Sequence, residues 1–118
     1  MILHFCPRAD WDAALERGVY RHPSLDEVGF IHFSDPGTVH LPANALFPGR
    51  TDLVLLEVDP ATVVVPLRWE PGDGDAPGGP WFPHLYGELP VALVVGVHDF
   101  PLNADGGFEL PRSLSHRP

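Results

Sequence analysis

Cysteine, positive charge and long apolar runs are all scarce in this sequence. Its one cysteine, Cys6, has no partner for a disulfide within the chain, so the fold must be held together by a packed core. No apolar run approaches the roughly 18 residues that a membrane-spanning helix needs, and the first residues lack the charged start of a signal peptide. Together these features predict a cytoplasmic protein.

Basic residues are outnumbered more than two to one by acidic residues. Seven Lys plus Arg stand against 16 Asp plus Glu, which gives a formal net charge of -9. A chain with this charge repels nucleic-acid phosphates and anionic lipid headgroups. We therefore expect neither nucleic acid nor a membrane as a partner, and we expect a small-molecule ligand instead. The oligomeric state is left open.

The length of the chain and its proline content predict one domain with short elements. A chain of 118 residues is near the usual size of a single domain. Its 15 prolines limit helix length, because the proline ring removes an N–H and clashes with the preceding turn. We expect one compact domain over residues 1–111 and a frayed tail over 112–118.

The spacing of apolar residues and turn signals predicts an α+β fold. In the first helix, Trp11, Ala14 and Leu15 are spaced to form one buried stripe, and Gly18 is placed for the C-cap. Ser24 begins the spacing of a capping box. Strands are predicted at 2–5, 29–34, 53–58, 62–69, 91–97 and 108–110, and short helices at 9–17, at 24–27 and after Asp35.

Histidine is abundant, and three of the seven histidines are candidates for a site. His4 lies in an apolar strand on the same face as Cys6, where a buried imidazole needs a hydrogen-bond partner, so it is either a core residue or a site residue. Strand alternation puts Phe30, His32 and Ser34 on one face. The other four histidines are set aside because they fall in turn, helix or tail contexts: His22, His40, His98 and His116.

The third candidate is His84, which lies in an aromatic segment after a flexible one. Residues 70–80 are rich in Gly, Pro and Asp and are predicted to be the most mobile internal part of the chain. In the segment 81–87 that follows, His84 and Tyr86 share a face if the backbone is extended. The segment either folds over a ligand or only closes the core. A serine hydrolase is disfavoured, because the G-x-S-x-G elbow is absent.

Five parts of the chain together resemble a known bacterial family. They are His4 in the first strand, the Gly-Phe-Ile-His run at 29–32 with Ser34, the segment 50–57, the Arg-Trp-Glu run at 68–70, and the segment 82–87. In this order they are similar to the family named domain of unknown function 952, with a match that runs from about residue 2 to 110. The resemblance implies an ADP-ribosyltransferase-like fold, in which two small half-sheets with short helices surround a central cleft that binds nicotinamide.

The resemblance also implies roles for individual residues. By position, His4 corresponds to a residue that contacts a ribose hydroxyl of NAD, and His32 or Ser34 to one that holds the nicotinamide ribose. A late glutamate assists transfer in that fold, and this chain offers His84 and Tyr86 there, so the group that replaces the glutamate is open. The acidic chain disfavours a phosphorylated RNA and favours NAD, ADP-ribose or a small nucleotide metabolite.

These observations lead to a transferase-like enzyme as the first hypothesis. The expected catalytic residues are His4, His32 and His84, and the expected ligand-binding residues are Ser34, Arg50, Arg68 and Tyr86. The alternative is a non-catalytic module that binds a small molecule or a metal, since His and Cys are zinc ligands. No local zinc-binding spacing is present, so we assign no metal ligands.

Overall fold

The computed structural model describes residues 1–72 and 78–115 and has the predicted α+β class, with small antiparallel sheets and short helices. The strands are β1 (Ile2–Pro7), β2 (Val19–Tyr20), β3 (Ile31–His32), β4 (Leu53–Val58), β5 (Leu67–Pro71), β6 (Trp81–Leu85), β7 (Leu89–Pro90) and β8 (Val94–Asp99). The helices are α1 (Arg8–Arg17), α2 (Ser24–Glu27), α3 (His40–Leu46) and α4 (Arg112–Ser115). Short 3₁₀ turns cover Pro60–Thr62 and Val91–Leu93.

The largest sheet has the order β1-β4-β8 and carries a core on each face. Alternate residues of β1 face opposite ways, so Ile2 and Cys6 pack into a first core while Leu3 and Phe5 pack into a second. Strand β4 divides its side chains in the same manner. Burial on both faces explains why both strands read as continuous apolar runs.

The second sheet has the order β3-β6-β5 and presents a mixed aromatic and polar face. In its register His32 lies opposite His84, which lies opposite Arg68. The other face contributes Ile31 and Leu85 to the first core. A single bridge between Leu3 and Ser34, with two backbone hydrogen bonds of 2.7 Å, joins this sheet to β1.

The first helix and the turn after it differ in part from the prediction. Trp11 and Ala14 are buried and Gly18 caps α1 with φ 84°, as expected, but Leu15 is 52% exposed. The capping box is not formed, because Pro23 precedes α2 as its N-cap. The backbone N–H of Ser24 instead donates to His22 Nδ1 at 3.0 Å.

Four predicted strands are shorter than expected or missing. The strand expected at 29–34 is reduced to Ile31–His32. The strand expected at 62–69 begins only at Leu67, and the one expected at 91–97 begins at Val94 after a 3₁₀ turn. Because β8 lies at the edge of its sheet, Val95 is exposed rather than buried. Residues 108–110 form no strand, and Phe108 packs its ring 4.8 Å from that of Phe100.

The two segments that we expected to be mobile are described only in part. Of 70–80, Glu70 and Pro71 belong to β5, while residues 73–77 lie outside the described part of the chain, so their mobility stays a prediction. Of 112–118, the first four residues form α4, and Leu114 is buried in the second core. Residues 116–118 lie outside the described part. No helix within residues 1–72 and 78–115 is long and apolar enough to cross a membrane.

Candidate functional site

A cavity of about 640 Å³ opens between the histidine-bearing strands and helix α3, and we call it the histidine cavity. His4, His22 and His32 line one part of its wall, and the rings of Phe5 and Phe82 contribute next to them. The opposite wall comes from α3 and the residue after it, through Leu41, Pro42, Ala45, Leu46 and Phe47. Its size is that of a pocket for a small organic ligand.

His4 is a neutral imidazole with both nitrogens already bonded. Its Nδ1–H donates to the His32 carbonyl oxygen at 2.7 Å, so Nε2 accepts the Tyr20 hydroxyl proton at 2.8 Å. Burial lowers the pKa of His4 from 6.5 to about 3, although the bond to the His32 carbonyl acts in the opposite direction. His4 therefore offers a ligand its ring surface and no free nitrogen.

Tyr20 extends this hydrogen-bonded chain to Cys6. The Cys6 thiol is hydrogen-bonded to the Tyr20 hydroxyl, and burial raises the pKa of the thiol to about 12. Burial likewise raises the pKa of Tyr20. A thiol with so high a pKa is protonated at neutral pH and is a poor nucleophile, so Cys6 and Tyr20 act here as supports for His4.

His22 is a site residue that the sequence reasoning set aside. Its ring centroid lies 5.7 Å from that of His4. Its Nδ1 accepts the Ser24 backbone N–H, and the Ser24 hydroxyl lies 2.8 Å from the same nitrogen, so the ring proton is on Nε2. Burial lowers the pKa of His22. The ring is thus a neutral donor in the cavity wall.

A second group of side chains lies on the face of the β3-β6-β5 sheet, and we call it the Glu70 cluster. It contains Glu70, His84, Tyr86, Phe30 and Arg68. Glu70 Oε1 accepts a hydrogen bond from His84 Nδ1 at 2.8 Å and another from the Tyr86 hydroxyl at 2.5 Å. These bonds, the Tyr86 one first, lower the pKa of Glu70, and the same bond raises the pKa of Tyr86.

The bond to Glu70 fixes the tautomer of His84. Because Nδ1 carries the proton toward the carboxylate, Nε2 holds a lone pair. This Nε2 is buried and has no hydrogen-bond partner among residues 1–72 and 78–115. The His84 ring stacks on Phe30 at 3.9 Å and lies 5.4 Å from the ring of His32. The Glu70 cluster therefore adjoins the histidine cavity through His32.

The structure brings together five of the seven predicted site residues, in two adjoining groups. His4 and His32 line the cavity, while His84, Tyr86 and Arg68 belong to the Glu70 cluster.

The other two predicted residues lie in neither group. Ser34 is buried at the bridge to β1, and its hydroxyl has no partner in the described part of the chain. Arg50 forms two hydrogen bonds of 2.8 Å with Asp52, and its guanidinium lies over the Phe47 ring.

Two features of the candidate site escaped the sequence reasoning for different reasons. His22 lies in a turn, and nothing local indicates that the turn folds back onto β1. Glu70 alternates with Arg68, a spacing that puts both on one face of a strand, but its pairing with His84 depends on the β5-β6 register. The metal alternative gains no support, since the described residues contain no group of three or more His, Cys, Asp or Glu side chains that could hold an ion.

Comparison with known proteins places the chain in a family. The model of the family described as "Protein of unknown function (DUF952)" matches residues 5–97. The chain belongs to the DUF952 family. The match runs from Phe5 in β1 to Val97 in β8, so it includes the whole Glu70 cluster and every lining residue of the histidine cavity except His4.

Solved structures of a protein from Caulobacter crescentus have the same fold. The crystal structure of protein CC0527 from Caulobacter crescentus is 36% identical to this chain, with 97% of each chain covered and a TM-score of 0.84. The solution NMR structure of CC0527 is 35% identical, with 98% of this chain and 97% of that chain covered and a TM-score of 0.81. Among functionally curated proteins, none matches the chain.

Proposed function

We propose that this DUF952 protein is a transferase-like enzyme that binds NAD, ADP-ribose or a small nucleotide metabolite in the histidine cavity. The observation that carries the proposal is the contact between the two groups, because His32 lines the cavity and lies 5.4 Å from His84. A ligand in the cavity would thus lie next to a histidine oriented by a carboxylate. An ADP-ribosyltransferase-like fold, implied by the family resemblance, is part of this proposal.

The Glu70 cluster has the chemistry of a general base. A carboxylate that accepts the Nδ1 proton of an imidazole leaves the Nε2 lone pair to take a proton from a substrate hydroxyl. Glu70 and His84 are 2.8 Å apart, and the buried Nε2 lacks a partner in the described chain. A buried polar atom without a partner is costly unless function retains it. Glu70 is our candidate for the late-strand glutamate.

A thermal-shift screen tests the proposal directly. The compounds are NAD, NADP, ADP-ribose, nicotinamide and common nucleotides, and a bound ligand raises the melting temperature in proportion to the logarithm of its concentration above Kd. We expect a hit whose shift is lost in His32→Ala. His40→Ala is the matched control, because His40 is half-buried but does not line the cavity.

Product analysis separates the enzyme from a non-catalytic binding module. The protein is incubated with the hit compound, and the mixture is resolved by chromatography. We expect slow conversion that Glu70→Gln abolishes while the thermal shift persists, since Glu70 is not a lining residue of the cavity. A ligand recovered unchanged would favour the binding module, and a screen without any hit would reject both readings.

A further inference from the structure

We infer that the histidine cavity accepts the uncharged, ring-bearing part of its ligand and that a phosphate on that ligand adds no affinity. This inference rests on the proposed function, since it concerns the same cavity. The substrate class is then uncharged heteroaromatic rings, and a nucleoside should bind at least as tightly as its phosphate.

The described wall of the cavity carries no formal charge from acidic or basic side chains. Its lining residues within 1–72 and 78–115 include no arginine, lysine, aspartate or glutamate. The two arginines that the sequence offered for phosphate binding do not line the cavity and already have partners: Arg50 pairs with Asp52 at 2.8 Å beside the Phe47 ring, and Arg68 lies over the Tyr86 ring at 4.9 Å. Moving an ionised phosphate into such a wall would cost its hydration without a compensating ion pair.

Two of the three histidines of the wall, His4 and His22, do not replace the missing cations. Burial lowers the pKa of His4 to about 3 and also lowers the pKa of His22, so both rings are neutral at physiological pH. The net charge of -9 works against anions as well. Geometry and charge therefore argue that a phosphate of the ligand lies outside this part of the wall and gains nothing from it.

The groups that the cavity does offer match a flat, uncharged ring. The His22 ring carries its proton on Nε2, because its Nδ1 accepts from Ser24, and can donate to an acceptor on a ring edge. Phe5 and Phe82 provide aromatic faces, and α3 provides an apolar wall. Stacking with one or two edge hydrogen bonds is how proteins hold a nucleobase or an aromatic amide.

The decisive experiment compares matched compounds that differ by one phosphate. Dissociation constants are measured by calorimetry for adenosine, guanosine and uridine beside their 5′-monophosphates, and for any phosphorylated hit of the screen beside its dephosphorylated form. We expect each monophosphate to bind no tighter than its nucleoside, and about tenfold weaker where the phosphate reaches the wall, which corresponds to about 1.4 kcal/mol.

The possible outcomes distinguish this inference from the proposed function. Tighter binding of the phosphorylated member would overturn the inference and leave the proposed function standing. Binding of no compound at all would reject the proposed function, and the inference with it. A variant adds a positive test: Leu46 lines the cavity and is 66% exposed, so Leu46→Arg places a cation at the wall at little cost in stability.

We expect Leu46→Arg to shift the preference toward the monophosphate by about tenfold, the effect of one added ion pair. Leu46→Gln, which adds polarity without charge, is its matched control and should keep the wild-type preference. An unchanged preference in Leu46→Arg would contradict the inference, because the missing cation would then not be what excludes phosphate.

Discussion

Two histidine–glutamate pairs of nearly equal length lie in different surroundings in this molecule. His84 Nδ1 and Glu70 Oε1 are 2.8 Å apart, and His98 Nε2 and Glu57 Oε1 are 2.9 Å apart. In the first pair the histidine side chain is 5% exposed and the carboxylate 34%. In the second pair the carboxylate is 4% exposed and the histidine 14%. The more buried side chain is thus the histidine in the first pair and the glutamate in the second.

The second pair is built into the packing of the main sheet. Glu57 lies opposite Gly96 in the β4-β8 register, and a Cβ on Gly96 would come within 2.7 Å of both Glu57 Oε1 and His98 Nε2. The other ring nitrogen of His98 lies 3.2 Å from the Ser113 hydroxyl in α4. Through His98, this pair therefore links the edge strand β8 to the helix α4. The first pair instead leaves the buried Nε2 of His84 next to the histidine cavity.

The largest effect that sharpens this contrast is expected from Glu57→Ala. The change removes a buried carboxylate and leaves His98 Nε2 without its acceptor, at a cost of about 3 kcal/mol in the free energy of unfolding. Urea denaturation of the variant measures this loss. Glu70→Ala is the matched comparison: it leaves the buried His84 Nδ1–H without its acceptor, but it removes a carboxylate that is 34% exposed, so its loss should be the smaller of the two. Equal losses would remove the distinction between the two pairs.

His84→Ala should have the next largest effect on stability. The ring is buried and stacks on Phe30 at 3.9 Å, so its removal costs packing and one hydrogen bond, about 2 kcal/mol. Circular dichroism during urea denaturation gives the value. If conversion of the screen's hit survives intact at that cost, His84 is a structural residue and the Glu70 cluster loses its proposed role.

Local sequence patterns predicted those parts of the fold whose structure depends on one segment of the chain alone. The buried strand at 53–58, the cap at Gly18 and the shared face of Phe30 and His32 follow from composition and alternation. The strand expected at 91–97 begins only at Val94. An apolar run does not by itself show where a strand begins, or that the strand lies at the edge of a sheet with one face exposed.

The site was predictable only where its residues lie on those segments. His4 and His32 were found because a histidine stands out within an apolar strand. His22, in contrast, becomes a wall residue through a turn that folds back to within 5.7 Å of the His4 ring, and Glu70 becomes a partner of His84 through strand register. Both depend on long-range pairing that no local pattern encodes.

The pH dependence of stability tests His4, whose two ring nitrogens are bonded to the His32 carbonyl oxygen and the Tyr20 hydroxyl and not to a carboxylate. Burial holds the pKa of His4 near 3 in the folded chain against 6.5 when exposed, so between these values the unfolded chain binds one more proton. Stability therefore falls as the pH is lowered through this window, by about 1.5 kcal/mol from pH 6.5 to about pH 5.

His4→Gln should flatten this part of the curve, measured as the free energy of unfolding at several pH values. His22→Gln is the control: the pKa of His22 is also lowered, so it contributes with the same sign, but the ring is only half-buried and its effect should be smaller. A slope unchanged by His4→Gln would mean that His4 is not held neutral by burial.

The smallest effect on stability, and the most informative for function, is expected from Glu70→Gln. The amide keeps the size of the carboxylate and can still accept a hydrogen bond from His84 Nδ1 or Tyr86. Because the side chain is partly exposed, the free energy of unfolding should change little. The negative charge that would stabilise a protonated His84 is lost, however, so conversion of the screen's hit should fall at least about 100-fold.

Glu57→Gln is the matched variant for the other pair and should lower stability without a specific effect on conversion per folded molecule. Rates and urea curves measured on both variants place each carboxylate. If Glu57→Gln impaired conversion in the folded protein as strongly as Glu70→Gln, proximity to the cavity would not be what gives a histidine–glutamate pair its function.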